Sequence, residues 1–69
     1  MSSKYDELDT TAQRVYKYLS ENIKNTPKFI SYTTIAQEVN RTRSSVSYAM
    51  GVLIRTRKVA IQDRKIYVL

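Results

Sequence analysis

Cysteine and histidine are both absent from this 69-residue chain, and glycine and proline occur once each. Without cysteine, neither a disulfide framework nor a thiolate zinc site can hold the fold. Without histidine, the usual general base and the usual metal ligand are missing. The few carboxylates, Glu38 and Asp63 among them, are scattered, and there is no Gly-rich phosphate loop. We therefore expect no enzyme, no cofactor and no metal. The longest apolar run is far short of a membrane span and no signal peptide opens the chain. The expected setting is the cytoplasm and nucleoid, with no membrane partner.

The most informative absence is of acid. From Val39 to Gln62 there is no Asp or Glu. Residues 1–38 balance five bases (Lys4, Arg14, Lys17, Lys24, Lys28) against five acids (Asp6, Glu7, Asp9, Glu21, Glu38). Residues 39–69 set seven bases (Arg41, Arg43, Arg55, Arg57, Lys58, Arg64, Lys65) against Asp63 alone, so they carry the whole net charge of +6. A neutral scaffold joined to a one-sided basic head is the layout of a small nucleic-acid-binding module. A single domain of this size buries only about 60% of its unfolded surface, so its core must be compact. An apolar content of 42% with six tyrosines is enough to drive folding.

Periodicity supplies the elements. Residues 1–9 read as a flexible N-terminus and residues 10–69 as one domain. Thr10 and Gln13 have capping-box spacing, and Ala12, Val15, Tyr16, Leu19 and Ile23 make one apolar face, which predicts a helix from Thr11 to Lys24. Asn25-Thr26-Pro27 ends it, because proline disfavours helical geometry at the preceding residue. Phe29-Ile30-Ser31 reads as extended, with Ser31 capping a short helix over Tyr32–Val39. Asn40-Arg41 makes a turn, and Thr42 caps a third helix that runs to about Thr56. Its inward face is Val46, Ala49, Met50 and Leu53. Gly51 sits in mid-helix, where it costs roughly 1 kcal/mol against Ala, and close approach of another helix is one reason to tolerate it. Val59, Ile61, Ile66 and Val68 then alternate as a short hairpin, with Asp63-Arg64 or a neighbouring pair at the turn. That order predicts an α+β fold: a small winged helix-turn-helix of three helices with a reduced wing.

The candidate DNA-binding residues follow from this placement. A helix N-terminus offers unpaired N–H groups and partial positive charge. Here it carries Asn40, Arg41, Thr42, Arg43, Ser44 and Ser45. Ser47 and Tyr48 lie on the outward face, Arg55, Arg57 and Lys58 at the far end, and Arg64 and Lys65 at the hairpin turn. Beyond Arg43 the third helix offers only Ser47, Tyr48 and Gly51 before Arg55, a poor set for a bidentate major-groove code. Small hydroxyls flanked by Asn and Arg fit a narrow A·T-rich minor groove, whose acceptors and negative potential suit them. Several residues have a second reading. Asn40 suits a left-handed turn as well as a contact, Thr42 is a cap and can also be a contact, and Tyr48 balances packing against groove contact. Arg57 and Lys58 also complement a helix C-terminus. Tyr16, Tyr18, Tyr32 and Tyr67 read as rims of the core.

Two resemblances attach to these residues. Ser31-Tyr32-Thr33-Thr34-Ile35-Ala36, followed by Ser45-Val46-Ser47-Tyr48-Ala49-Met50, resembles the helix-turn-helix of the alkylated-DNA repair alkyltransferases, which enter the minor groove. The chain has no counterpart of their catalytic Pro-Cys-His-Arg motif, so only the DNA-binding geometry carries over. Over roughly residues 10–69, with Asn40-Arg41-Thr42-Arg43 at the diagnostic position, the chain more closely resembles the C-terminal domain of Rok-type nucleoid-associated proteins, the xenogeneic silencers of Gram-positive bacteria. This resemblance implies repression of A·T-rich genes by coating double-stranded DNA. It also implies self-association only through a segment outside these residues. Two rivals remain: a sequence-specific repressor of plasmid or phage type reading the major groove, and a winged-helix module that docks an acidic protein.

Overall fold

The computed structural model describes residues 4–69, with side chains from Thr11 onward. The part of the expected flexible N-terminus at residues 1–3 lies outside the described residues. Among the described residues the elements are α1 (Lys4–Ile23), α2 (Tyr32–Val39), α3 (Arg43–Arg55), β1 (Val59–Gln62) and β2 (Lys65–Val68). This is a small α+β domain with the element order of a winged helix-turn-helix. None of these helices is long and apolar enough to cross a membrane.

α1 starts at Lys4, not at Thr11, so Thr10 lies inside the helix and does not cap it. The preceding segment contains neither Gly nor Pro, and nothing in it stops the helix propagating toward the N-terminus. The other end behaves as predicted. α1 stops at Ile23, and the Thr26 N–H closes a turn onto the Ile23 carbonyl at 3.2 Å, just before Pro27. The chain then runs extended, and the Ile66 N–H donates to the Lys28 carbonyl at 3.0 Å. This isolated antiparallel bridge, Lys28↔Ile66, ties the two-stranded β1–β2 hairpin to the segment between α1 and α2.

One apolar stripe from each helix meets at a common centre. Ala12, Val15, Leu19 and Ile23 of α1 pack with Ile35, Ala36 and Val39 of α2 and with Val46, Ala49, Met50 and Leu53 of α3. Val59 and Ile66 close the core from the hairpin. Val15, Leu19, Ile35, Val46 and Met50 have no exposed surface at all. Full burial of such side chains contributes about 1.5–3 kcal/mol each. Tyr16, Tyr18 and Tyr32 pack at its edge as rims. The Arg14 guanidinium donates to the Val39 carbonyl at 3.2 Å, which ties α1 to the open C-terminal carbonyls of α2. Burial, and secondarily the Glu38 carboxylate, push the Tyr18 phenol above its ordinary pKa at this same α1–α2 contact.

The hairpin register is Val59↔Val68, Ala60↔Tyr67, Ile61↔Ile66 and Gln62↔Lys65, leaving Asp63-Arg64 as a two-residue loop. Both loop residues have positive φ, 54° and 67°, the signature of a type I′ turn. That turn favours Asn-Gly, and an L-residue with a side chain pays roughly 1–2 kcal/mol in the left-handed region. We therefore expect Arg64→Gly to raise stability by about 0.5–1 kcal/mol, the relief of strain less the entropy of an added glycine, as read by urea denaturation.

Candidate nucleic-acid interface

The sharp turn between α2 and α3 sets the geometry of the site. Asn40 adopts φ 60° and ψ 49°, the left-handed conformation. Its N–H donates to the Gln37 carbonyl at 3.4 Å, and the Arg41 N–H donates to the Ala36 carbonyl at 3.0 Å. Those two bonds form a Schellman closure of α2 with Asn in the position usually held by Gly. Asn40 is thus a turn residue whose side chain remains exposed. The Arg41 guanidinium folds back to donate to the Asn40 carbonyl at 3.2 Å.

Thr42 then caps α3. Its hydroxyl oxygen accepts from the Ser45 N–H at 3.1 Å, and its O–H donates to Ser45 Oγ at 3.0 Å. Ser31 uses the same geometry on α2, accepting from the Thr34 N–H at 3.2 Å. The Thr42 cap fixes the first turn of α3 and occupies the donor of its own hydroxyl. Ser45 is half-buried, and its own O–H is left to donate elsewhere.

The buried stripe of α3 determines which residues face out. With Val46, Ala49, Met50 and Leu53 inside, the opposite face carries Ser44, Tyr48, Gly51 and Arg55, four, three and four residues apart. Tyr48 is 53% exposed, so its side chain is not core packing. Ser47 and Arg43 are exposed between this face and the hairpin side. Gly51 does not serve a close helix approach, because a Cβ built there meets nothing within 4 Å. Packing supplies no reason for it. Its bareness lies on the outward face, beside Tyr48 and Arg55.

A groove of about 280 Å³ runs between the start of α3 and the hairpin, and Arg43 and Arg64 both line it. Two candidate cations 21 residues apart in sequence therefore share one surface. Lys65 follows Arg64 at the hairpin turn and is exposed.

The far end of α3 is organised differently. The Arg57 N–H donates to the Ile54 carbonyl at 3.1 Å and the Lys58 N–H to the Leu53 carbonyl at 2.9 Å, a second Schellman closure with Arg57 at φ 64°. The Lys58 ammonium sits 5.7 Å from the centre of the Tyr16 ring, a cation–π contact with α1. Lys58 lines the α1–α3 groove with Gln13 and Thr56, not the hairpin groove. Arg43 and Arg55 stand at opposite ends of α3, roughly 18 Å apart along its axis.

Phe29 and Ile61 are the residues that charge and spacing do not mark. They are 64% and 43% exposed and line the same groove as Arg43 and Arg64. Ile61 stands opposite the buried Ile66 in the hairpin register yet is itself exposed, a difference that the alternation of the strand does not signal. Comparisons with family models, with curated proteins and with solved structures return no match.

Two outcomes test these local assignments. Asn40→Gly should change stability by less than about 0.5 kcal/mol, while Asn40→Ala should cost about 1 kcal/mol, because only the former suits the left-handed turn. Gly51→Ala should raise stability by up to about 1 kcal/mol, since it adds helix propensity in open space. Thermal melts of the three variants read both.

Proposed function

We propose that this chain is a non-enzymatic DNA-binding domain that prefers A·T-rich duplexes and enters the minor groove with the start of α3. The observation that carries the reading is the shared groove of Arg43 and Arg64, which no acidic residue among those described lines. Arg43 inside the minor groove and Arg64 on the phosphates at its edge can engage one duplex together. Asn40 and Arg43 contact the groove, Thr42 meets it with its methyl group while its hydroxyl stays in the cap, and Ser44, Ser45, Ser47 and Tyr48 lie beside them. Arg41, Arg55, Arg57, Arg64 and Lys65 hold phosphates, and Lys58 joins them only by leaving Tyr16.

Minor-groove entry is favoured over major-groove reading by what the outward face of α3 lacks. Its residues between Arg43 and Arg55 include no Asn, Gln, Lys or Arg to pair bidentately with base edges. Small hydroxyls and a bare Gly51 let the helix approach a groove wall, and the negative potential of A·T tracts attracts Arg. The resemblance at Asn40-Arg41-Thr42-Arg43 to the Rok-type silencers supports the same preference. It also supports a role as a nucleoid-associated repressor of A·T-rich genes.

Fluorescence anisotropy with A·T-rich and G·C-rich duplexes over a salt series tests this. We expect tighter binding to the A·T-rich duplex and a linear fall of log affinity with log salt. Arg64→Gln should flatten the slope by about 0.9, and Arg43→Gln should narrow the difference in affinity between the two duplexes. Equal affinity for both duplexes would remove the minor-groove assignment, and a salt-insensitive affinity would remove the phosphate contacts.

A further inference from the structure

The groove beside the hairpin is more than a pair of cations. Besides Arg43, Arg64 and Ser31 its lining is apolar or aromatic, Phe29 and Ile61 included, and no acidic side chain is among the described residues that line it. Phe29 and Ile61 are among the most exposed large apolar side chains described. A solvated phosphate-binding surface has no use for an exposed Phe, because phosphate recognition asks for N–H and O–H donors. Two guanidinium groups bordering an apolar floor instead match a ligand that alternates anionic groups with apolar faces.

We propose that this groove holds the sugar–phosphate backbone of one DNA strand, with deoxyribose faces packed on Phe29 and Ile61, a flanking phosphate on Arg64, and Arg43 reaching past the sugar edge into the minor groove. The inference rests on the DNA-binding reading above and deepens it, because it assigns part of the affinity to apolar contact that salt does not screen. Sugar rings line the walls of the minor groove, so a helix start that enters that groove brings the hairpin side of the domain against them. Desolvation of Phe29 and Ile61 then adds affinity without releasing further counterions. The hairpin need not be long to do this. Ile61 is already exposed on it, beside Arg64 in the groove lining.

The experiment is a salt titration of the full chain with one A·T-rich duplex, wild type against Phe29→Ala, Ile61→Thr and Leu69→Ala. Leu69 is 67% exposed but does not line the groove, so it controls for a general loss of apolar surface. Ile61→Thr keeps a β-branched residue in the strand. We expect Phe29→Ala to weaken binding about tenfold and Ile61→Thr a few-fold, with the salt slope of the wild type and no change in melting temperature. Leu69→Ala should bind as wild type does.

Wild-type affinity in both groove variants would overturn the inference while leaving DNA binding intact. A loss accompanied by a flatter slope would also overturn it, since it would show displaced cations and not lost apolar contact. A matching loss in Leu69→Ala would do the same. If sedimentation shows the wild type dimeric, and Phe29→Ala makes it monomeric without altering DNA affinity, a second copy of the chain covers the groove and the inference fails. No duplex binding by the wild type would defeat the underlying reading as well.

Discussion

The packing of one stripe of α3, Val46, Ala49, Met50 and Leu53, against α1 and α2 governs everything that the surface presents. A chain of this size has one core, and α3 has no second partner for its other side. Because the helix repeats every 3.6 residues, burying that stripe forces Ser44, Tyr48, Gly51 and Arg55 outward. Rotation of α3 by one residue would expose Met50 and bury Tyr48. The cost of that exchange locks the outward face far more strongly than any contact made by the outward residues themselves. The hairpin depends on the same core through Val59 and Ile66, and the bridge from Ile66 to Lys28 then brings Arg64 to the side of α3 where Arg43 emerges.

Backbone strain is distributed in an unusual way. Among the described residues, four non-glycine positions have positive φ: Asn40, Arg57, Asp63 and Arg64. The single glycine of the chain is at none of them. It lies inside α3, where helix propensity disfavours it. Glycine would relax each of the four turns, and alanine would strengthen the helix at Gly51. Each of the four turn positions keeps a polar or charged side chain, and each flanks an end of α3 or the tip of the hairpin. Under the proposed reading this is the trade expected of a binding surface: side chains retained where the backbone must turn, and none where a ligand's backbone must come close.

Much of this arrangement is legible in the sequence, for local reasons. Ser31 and Thr42 announce the starts of α2 and α3 because a short hydroxyl next to an apolar 3.6-residue repeat has few other uses. Asn40 and Asp63-Arg64 sit between periodic segments of known type, which fixes the turns. What could not be read depends on distance in space. The start of α1 is uncapped by any breaker, so Thr10 and Gln13 form a plausible but internal pair. The open space over Gly51 depends on where α1 and α2 lie, not on its neighbours in sequence. Lys58 looks like any other base until Tyr16, 42 residues earlier, is brought beneath it. Phe29 and Ile61 look like strand residues of a core, and the tertiary packing leaves both on the surface.

The two ends of α3 now have contrasting electrostatics. At the N-terminus the Thr42 side chain takes the Ser45 N–H and its carbonyl takes the Val46 N–H at 3.0 Å. The N–H groups of Arg43 and Ser44 remain directed off the helix end, where the dipole is positive and Arg41, Arg43 and Arg64 add formal charge. At the C-terminus Thr56, Arg57 and Lys58 return their N–H groups to the Val52, Ile54 and Leu53 carbonyls, and the Thr56 hydroxyl donates to the Val52 carbonyl at 2.9 Å. Arg55 in the last turn offsets the negative end of the dipole. Both ends carry cationic side chains, but the far end is closed by its own backbone bonds, whereas the start keeps open N–H donors beside its cations. An anion that approaches α3 along its axis therefore meets a directional field that the total charge alone does not reveal. That polarity, more than the count of bases, is why the start of the helix rather than its far end is the part proposed to enter the groove.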